Sequence, residues 1–203
     1  MRLLNIITQK TAYTLPLCIS LFYISCTKEY SNEGPSIAGA VSIFISQSPL
    51  GQTVNDSTGG IELGMRFRSA TAGNILGIKF YKTAGNTGTH TAQLFSTDGI
   101  LLASAAFTNE TDSGWQHALF TTAIPIAANT TYIAAYHSSL GNYTFTAYGF
   151  HNAITNPPLT GLADGTDGIN GLYEYTNTPV FPTHGYDSNN YWVDVIESNY
   201  ENY

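Results

Sequence analysis

Charge, cysteine and helical periodicity are all scarce in this 203-residue chain. Charged residues make up 10% of it, against roughly a quarter in an ordinary soluble domain. Beyond residue 26 the bases number five, scattered as Lys28, Arg66, Arg68, Lys79 and Lys82. Nucleic-acid binding needs clustered Lys and Arg to neutralise phosphates, so that class is excluded. Electrostatic adhesion to anionic lipid is excluded for the same reason. The two cysteines, Cys18 and Cys26, both lie near the N-terminus. Residues 27–203 therefore form no disulfide and offer no thiol nucleophile, and their fold must rest on packing. Helical periodicity is missing outside the leader, and no unit recurs at a fixed period, which argues against bundles, propellers and solenoids. The five histidines, His90, His117, His137, His151 and His184, show no HxH or HExxH spacing. Zinc chemistry is thereby disfavoured, and no G-x-S-x-G nucleophile elbow is present.

What is present begins with the leader. Arg2 and Lys10 precede an apolar run, Thr11 to Ser25, that ends at Cys26. A basic start, an apolar stretch and a small residue form the layout of a secretory signal. The run is too short and too interrupted, by Thr11, Thr14 and Pro16, to span a membrane. Ser25-Cys26 resembles the lipobox of bacterial lipoproteins, although Ile24 and Tyr23 depart from the usual pattern. That resemblance implies cleavage after residue 25, acylation of Cys26 and stable anchoring by two or more acyl chains. Thr27, rather than Asp, then implies the outer membrane of a diderm cell. The expected domains are a leader over 1–25, an acylated Cys with a flexible tether over 26–39, one folded domain over 40–197 and a tail over 198–203. Loss of the leader leaves five bases against all fourteen acids, a formal net charge of −9.

The folded part reads as strands. Val41–Ser46 is a short apolar run. Ile61, Leu63, Met65 and Phe67 alternate with Glu62, Gly64, Arg66 and Arg68, which predicts a strand with one wet face. Leu76, Ile78 and Phe80 repeat that period. Thr89–Ser96 and Ile100–Ala105 flank Thr97-Asp98-Gly99, a hairpin signal. Gln116–Thr121, Thr130–Ser138 and Tyr191–Ile196 complete the set. Many short strands between turn signals indicate an all-β sandwich or barrel. Residues 149–190 break the rhythm with Gly, Asn, Asp and Pro, including Asn156-Pro157-Pro158. Loops of that length are uncommon and often functional.

Particular stretches resemble a known family. They are Ile61–Arg68, Gly77–Lys82, Gly85–Thr91, Leu94–Gly99, Phe107–Gln116, Thr131–His137 and Asn190–Val195. Together they are similar to the bacterial domain of unknown function 4082, over roughly Ser42 to Ile196. The resemblance implies a jelly-roll-like antiparallel β-sandwich. Relatives of this kind resemble extracellular modules found beside Ig-like, carbohydrate-active or adhesive domains. It implies no activity and no catalytic residues.

Three kinds of chemistry can be weighed on the residues. Twelve aromatics fall in the 61 residues from Tyr132 to Trp192. Rings in irregular backbone can stack on the apolar faces of sugars while Asn, Asp and His bond the hydroxyls. The expected rim is 142–151 with 173–191. Its candidates are Tyr148, His151, Tyr173, Tyr175 and Tyr186, with Asp187 as acceptor. The bland alternative is that such rings anchor the loop to the core. Asp164, Asp167 and Asn170 recur at spacing three in a Gly-rich loop, and Asp187, Asn189 and Asn190 form a second cluster. Calcium uses such oxygens, but neither matches an EF-hand, and Asp and Asn are also ordinary turn residues. Glu62, Glu110 and Glu174 are the acids considered for glycoside hydrolysis, which requires a carboxylate geometry that spacing does not reveal. Gly85-Asn86-Thr87-Gly88 lies between strands with no following helix, so it reads as a turn, not a phosphate loop. The leading expectation is a lipid-anchored module binding glycan or another extracellular ligand. The alternative is an adhesive module that docks a cell-surface protein, and an enzyme ranks third.

The anchoring expectation is directly testable. Cys26→Ser should abolish metabolic palmitate labelling and release the protein from the membrane fraction. Unchanged labelling and detergent partitioning would overturn the lipoprotein reading.

Overall fold

The computed structural model describes residues 37–50, 53–56 and 59–198, all within one compact unit, Glu33–Tyr203. The leader, Cys26, nearly all of the tether and the tail beyond Ser198 lie outside the described residues. Among the described residues no helix is long and apolar enough to cross a membrane.

The strands are β1 (Val54–Asn55), β2 (Ile61–Ser69), β3 (Gly73–Lys82), β4 (His90–Ser96) and β5 (Leu101–Ala106). They continue as β6 (Gly114–Ile126), β7 (Tyr132–Ser138), β8 (Asn142–Tyr143), β9 (Ile154–Asn156) and β10 (Leu159–Gly161). The last are β11 (Leu172–Tyr175), β12 (His184–Gly185) and β13 (Val193–Ser198). A large antiparallel sheet runs β12-β11-β2-β7-β4-β5, with β10 and β9 extending from β2. A smaller one runs β13-β3-β6, and β1 pairs with β8. The chain crosses between the two sheets at β2–β3, β3–β4, β5–β6, β6–β7 and β12–β13. The expected hairpin joins β4 to β5, with Gly99 at φ 80° supplying the left-handed turn position.

The two sheets face each other across one core. Leu63, Met65, Phe67, Ala92, Leu94, Ala134 and Tyr136 come from the large sheet, and Ile75, Ile78, Phe80, Val193 and Val195 from the small one. Phe80 stacks on Tyr136 at 4.5 Å between centroids and meets Phe107 edge-on at 4.8 Å. The period-two reading of β2 holds for its inner side.

Its outer side corrects the expectation. Arg66 and Arg68 are half-buried, but Glu62 is fully buried. A second small cluster, Phe95, Ile133, Ala135 and Leu172 with Phe181 against it, covers this face. The segment after β11 folds back over it. Gly64 permits the approach, since a Cβ there would meet Pro182 Cγ and Ala134 O at 3.2 Å. Burial raises the Glu62 carboxyl well above its ordinary range.

A second correction concerns Val41–Ser46, which forms no strand. Val41 makes one bridge, to Glu197. Beyond it the chain is held by a side chain. Asp194, fully buried, accepts from Ile43 N at 3.0 Å and Phe44 N at 2.8 Å. Lys79 Nζ lies 3.3 Å from the same carboxylate and donates to Phe44 O at 2.6 Å. A carboxylate and an ammonium thus do the work of a neighbouring strand. They seat Phe44 against Trp115 and Trp192, with centroids 5.9 and 5.1 Å away. Lys79 also lies over the Trp115 ring at 4.4 Å.

Burial outweighs these partners and pushes the Asp194 carboxyl up to about 6. The native state then holds a proton more tightly than the unfolded chain, where Asp titrates near ~3.9. This group's contribution is therefore largest below about pH 4 and declines as the pH rises to about 6. The stability of the wild type relative to Asp194→Asn should fall across that window by up to about 3 kcal/mol and level off above it. Denaturant melts at a series of pH values read this difference. A flat difference would mean that Asp194 does not titrate as a buried acid.

Candidate functional site

The Ile61 end of β2 is where the candidate site forms. β11 pairs with β2 so that Tyr175 lies opposite Ile61 and Tyr173 opposite Leu63. Beside them β8 pairs with β1, setting Tyr143 opposite Val54. Alternation along β11 sends Tyr173 and Tyr175 to one side and Leu172 and Glu174 to the other. The approach to β13 adds Tyr191, and the turn before it adds Tyr186 and Asn189. The result is a cleft of about 400 Å³ walled by Tyr143, Phe145, Tyr173, Tyr175, Tyr186 and Tyr191. Val54, Ile61, Asp56 and Asn189 complete the lining.

The rings stand at steep angles to one another. Tyr173 and Tyr175 meet at 70° with centroids 5.5 Å apart, and Tyr143 and Tyr191 at 73° and 5.7 Å. Tyr143 and Tyr191 form a floor, 8% and 4% exposed, whereas Tyr175 and Tyr186 are open rim rings at 50% and 61%. Asp56 ties floor to rim, because Tyr143 and Tyr175 both donate to its Oδ2 at 2.8 Å. The hydrogen bond to Asp56 and burial push the Tyr175 phenol up to about 12. Burial, with Asp56 second, raises that of Tyr143. Burial carries Tyr191 to about 12. Asn189, 3% exposed, has an Oδ1 with no hydrogen-bond partner among the described residues. The arrangement offers apolar ring faces, acceptor oxygens and phenol hydroxyls that can donate or accept.

Of the residues expected from sequence, Tyr173, Tyr175 and Tyr186 line this cleft. Tyr148, His151 and Asp187 are exposed but lie outside its lining. Tyr148 N donates to Asp187 O at 3.1 Å, and both residues have positive φ, 57° and 48°. Their backbones lock the two rim loops together. Tyr143, Phe145 and Tyr191 belong to the expected segments but are not among the named candidates, and Asn189 enters from sequence only through the second oxygen-rich cluster. Asp56 carried no signal at all, being 87 residues from Tyr143 and 119 from Tyr175 in sequence.

The calcium trio has several of its side-chain oxygens engaged within the protein. Asp164 Oδ1 accepts from Asn170 N at 2.7 Å, and Asp167 pairs with Arg68 Nη2 at 3.1 Å. Asn170 is buried and acts as a backbone surrogate, its Oδ1 accepting from Arg66 N at 2.7 Å and Gly171 N at 2.8 Å. In the second cluster Asn190 Oδ1 accepts from Trp192 N at 2.8 Å. Among the described residues no three His, Cys, Asp or Glu come together as a metal site.

The three glutamates are also otherwise engaged. Glu62 and Glu174 face each other across the β2–β11 ladder, but Glu62 is sealed beneath the covering segment. Glu174 holds Thr183 Oγ1 and His184 Nδ1, each at 2.8 Å. Glu110 pairs with Lys82 at 2.8 Å and His90 at 3.0 Å, with His90 Nε2 against Asn86 Oδ1 at 2.8 Å.

The family model for the domain of unknown function DUF4082 matches residues 46–193, and the chain belongs to that family. Among curated proteins none matches the chain.

The Asp56 link has a spectroscopic consequence. Asp56→Asn keeps an acceptor oxygen but removes the negative charge that opposes phenol ionisation. The Tyr175 phenol should then titrate nearer the ordinary ~10. An ultraviolet phenol titration should show one additional tyrosine ionising in that range. An unchanged curve would mean that Asp56 does not contact Tyr175.

Proposed function

We propose that this DUF4082 chain is a lipid-anchored binding module of the bacterial cell envelope, and that the tyrosine cleft beside Asp56 takes a glycan. The observation that carries the reading is the convergence of five tyrosines, one phenylalanine and two acceptor side chains on a single cleft. Sugar rings present apolar C–H faces and peripheral hydroxyls. Aromatic walls with a few fixed polar groups suit both, as small-molecule sites generally do. The steep angles between neighbouring rings give a pyranose more than one stacking surface. The open rim of Tyr175 and Tyr186 lets a chain continue past the bound residue.

Binding, without turnover, fits the polar groups of the cleft. Asp56 is the one carboxylate among its lining residues, whereas glycoside hydrolysis ordinarily uses two flanking the scissile bond. The envelope assignment rests on the leader and Cys26, in the sequence alone.

A glycan array probed with the full chain, followed by titration of the strongest binder, tests the reading. Tyr175→Ala and Tyr186→Ala should each weaken binding by about tenfold, a loss of about 1.4 kcal/mol, while thermal unfolding stays close to that of the wild type. Tyr143→Ala and Tyr191→Ala should instead cost about 3 kcal/mol or more of stability, as buried aromatic deletions do. An empty array, or stability losses without selective loss of binding, would remove the sugar site. A protein ligand captured at this face would favour the adhesive alternative.

A further inference from the structure

We infer that the tyrosine cleft selects a glycan carrying a free, protonated amino group over its neutral N-acetylated counterpart. This rests on the glycan reading above and sharpens it. The lining holds Asp56 but no Lys, Arg or His. Asp56 is its one charged side chain, while the hydroxyls of Tyr173, Tyr186 and Tyr191 can donate or accept. Tyr143 and Tyr175 have already spent their hydroxyl hydrogens on Asp56 Oδ2, and neither is bonded to Oδ1. Asn189 adds a buried Oδ1 that lacks a donor. A buried acceptor without a partner is costly, so a ligand that brings donors gains at Asn189 Oδ1 and at the carboxylate of Asp56.

An ammonium group has three donors and no acceptor. It also carries the charge that ring faces attract, and the walls are five tyrosine rings and a phenylalanine. The carboxylate of Asp56 supplies the counter-charge, and hydrogen bonds between ionised partners are the stronger kind. An acetamido group in the same place offers one donor, adds a carbonyl acceptor and brings no charge. The chain as a whole is acidic, at a formal −7, which favours approach of a cationic polymer.

The test compares two oligosaccharides of equal length on the full chain, a β-1,4-linked glucosamine oligomer and its fully N-acetylated form. Calorimetric titration is done at a pH that keeps the amine charged. The amine form should bind about tenfold more tightly, and raising the pH through the amine's own titration should erase the advantage. Asp56→Asn should bring the two affinities together. Equal affinities in the wild type would overturn the inference while leaving the cleft a neutral-sugar site. A preference that survives in Asp56→Asn would overturn the role of the carboxylate. Failure of both oligomers and of every other array glycan to bind would overturn the glycan reading and this one with it. The wild-type comparison decides the question even if Asp56→Asn fails to fold.

Discussion

The backbone groups along one edge of β2 have to be satisfied, and much of the rest of the molecule follows from how that is done. Its other edge is taken by β7 over Ile61–Phe67. An exposed edge of nine residues would invite pairing with another chain. The protein closes it in three stages with the irregular segment that follows β8. β11 covers Ile61–Gly64, and β10 covers Phe67–Ser69. Between them Leu162 N donates to Arg66 O at 3.0 Å, and Asn170 Oδ1 accepts from Arg66 N. One asparagine side chain thus splices two short strands into a continuous edge.

That closure positions the cleft and accounts for the buried acid. Pairing of β11 in this register places Tyr173 and Tyr175 beside the β1–β8 pair, where Asp56 can reach both Tyr143 and Tyr175. The same pairing directs the chain after Tyr175 back over the outer face of the sheet. His137 Nε2 meets Thr176 O at 3.0 Å there. Glu62 is sealed beside Gln93, whose amide, turned to donate, reaches Glu62 Oε1 at 2.7 Å. A charged carboxylate would be expensive in that position, which is why its titration is displaced upward. The Asp164–Asn170 loop holds the splice in place, Asp164 Oδ1 accepting from Asn170 N and Asn170 Oδ1 from Arg66 N.

The small sheet solves the parallel problem by electrostatics. Asp194 and Lys79 lie on its outer side, opposite the core residues Val193, Val195, Ile78 and Phe80. They receive the N-terminal segment without a strand ladder. A buried ion pair of this kind adds little net stability, but removal of one partner strands the other. Its effect here is to fix where Phe44 sits among Trp115 and Trp192.

Local pattern was enough for the longer strands, β2 to β7 and β13, and for the inner face of β2. Ile61 to Phe67 and Ile78 to Phe80 announced their register, because alternation is a property of the chain itself. Composition, the cysteine positions and the turn residues at Asp98-Gly99 indicated an all-β, disulfide-free fold. What the sequence could not decide is anything that depends on two distant segments meeting. Glu62 reads as solvated until the 176–182 segment is laid over it. Val41–Ser46 reads as a strand until Asp194, some 150 residues away, captures its N–H groups. Asp167 and Asn170 read as ligands until Arg68 and the Arg66 backbone engage them, and Asp164 until Asn170 N does. The rim segments could be named, and Tyr173, Tyr175 and Tyr186 with them, because rings in irregular backbone stand out. Tyr143, Tyr191, Asn189 and Asp56 became a site only through tertiary pairing, since a cleft is a relation between backbones and no single segment encodes it.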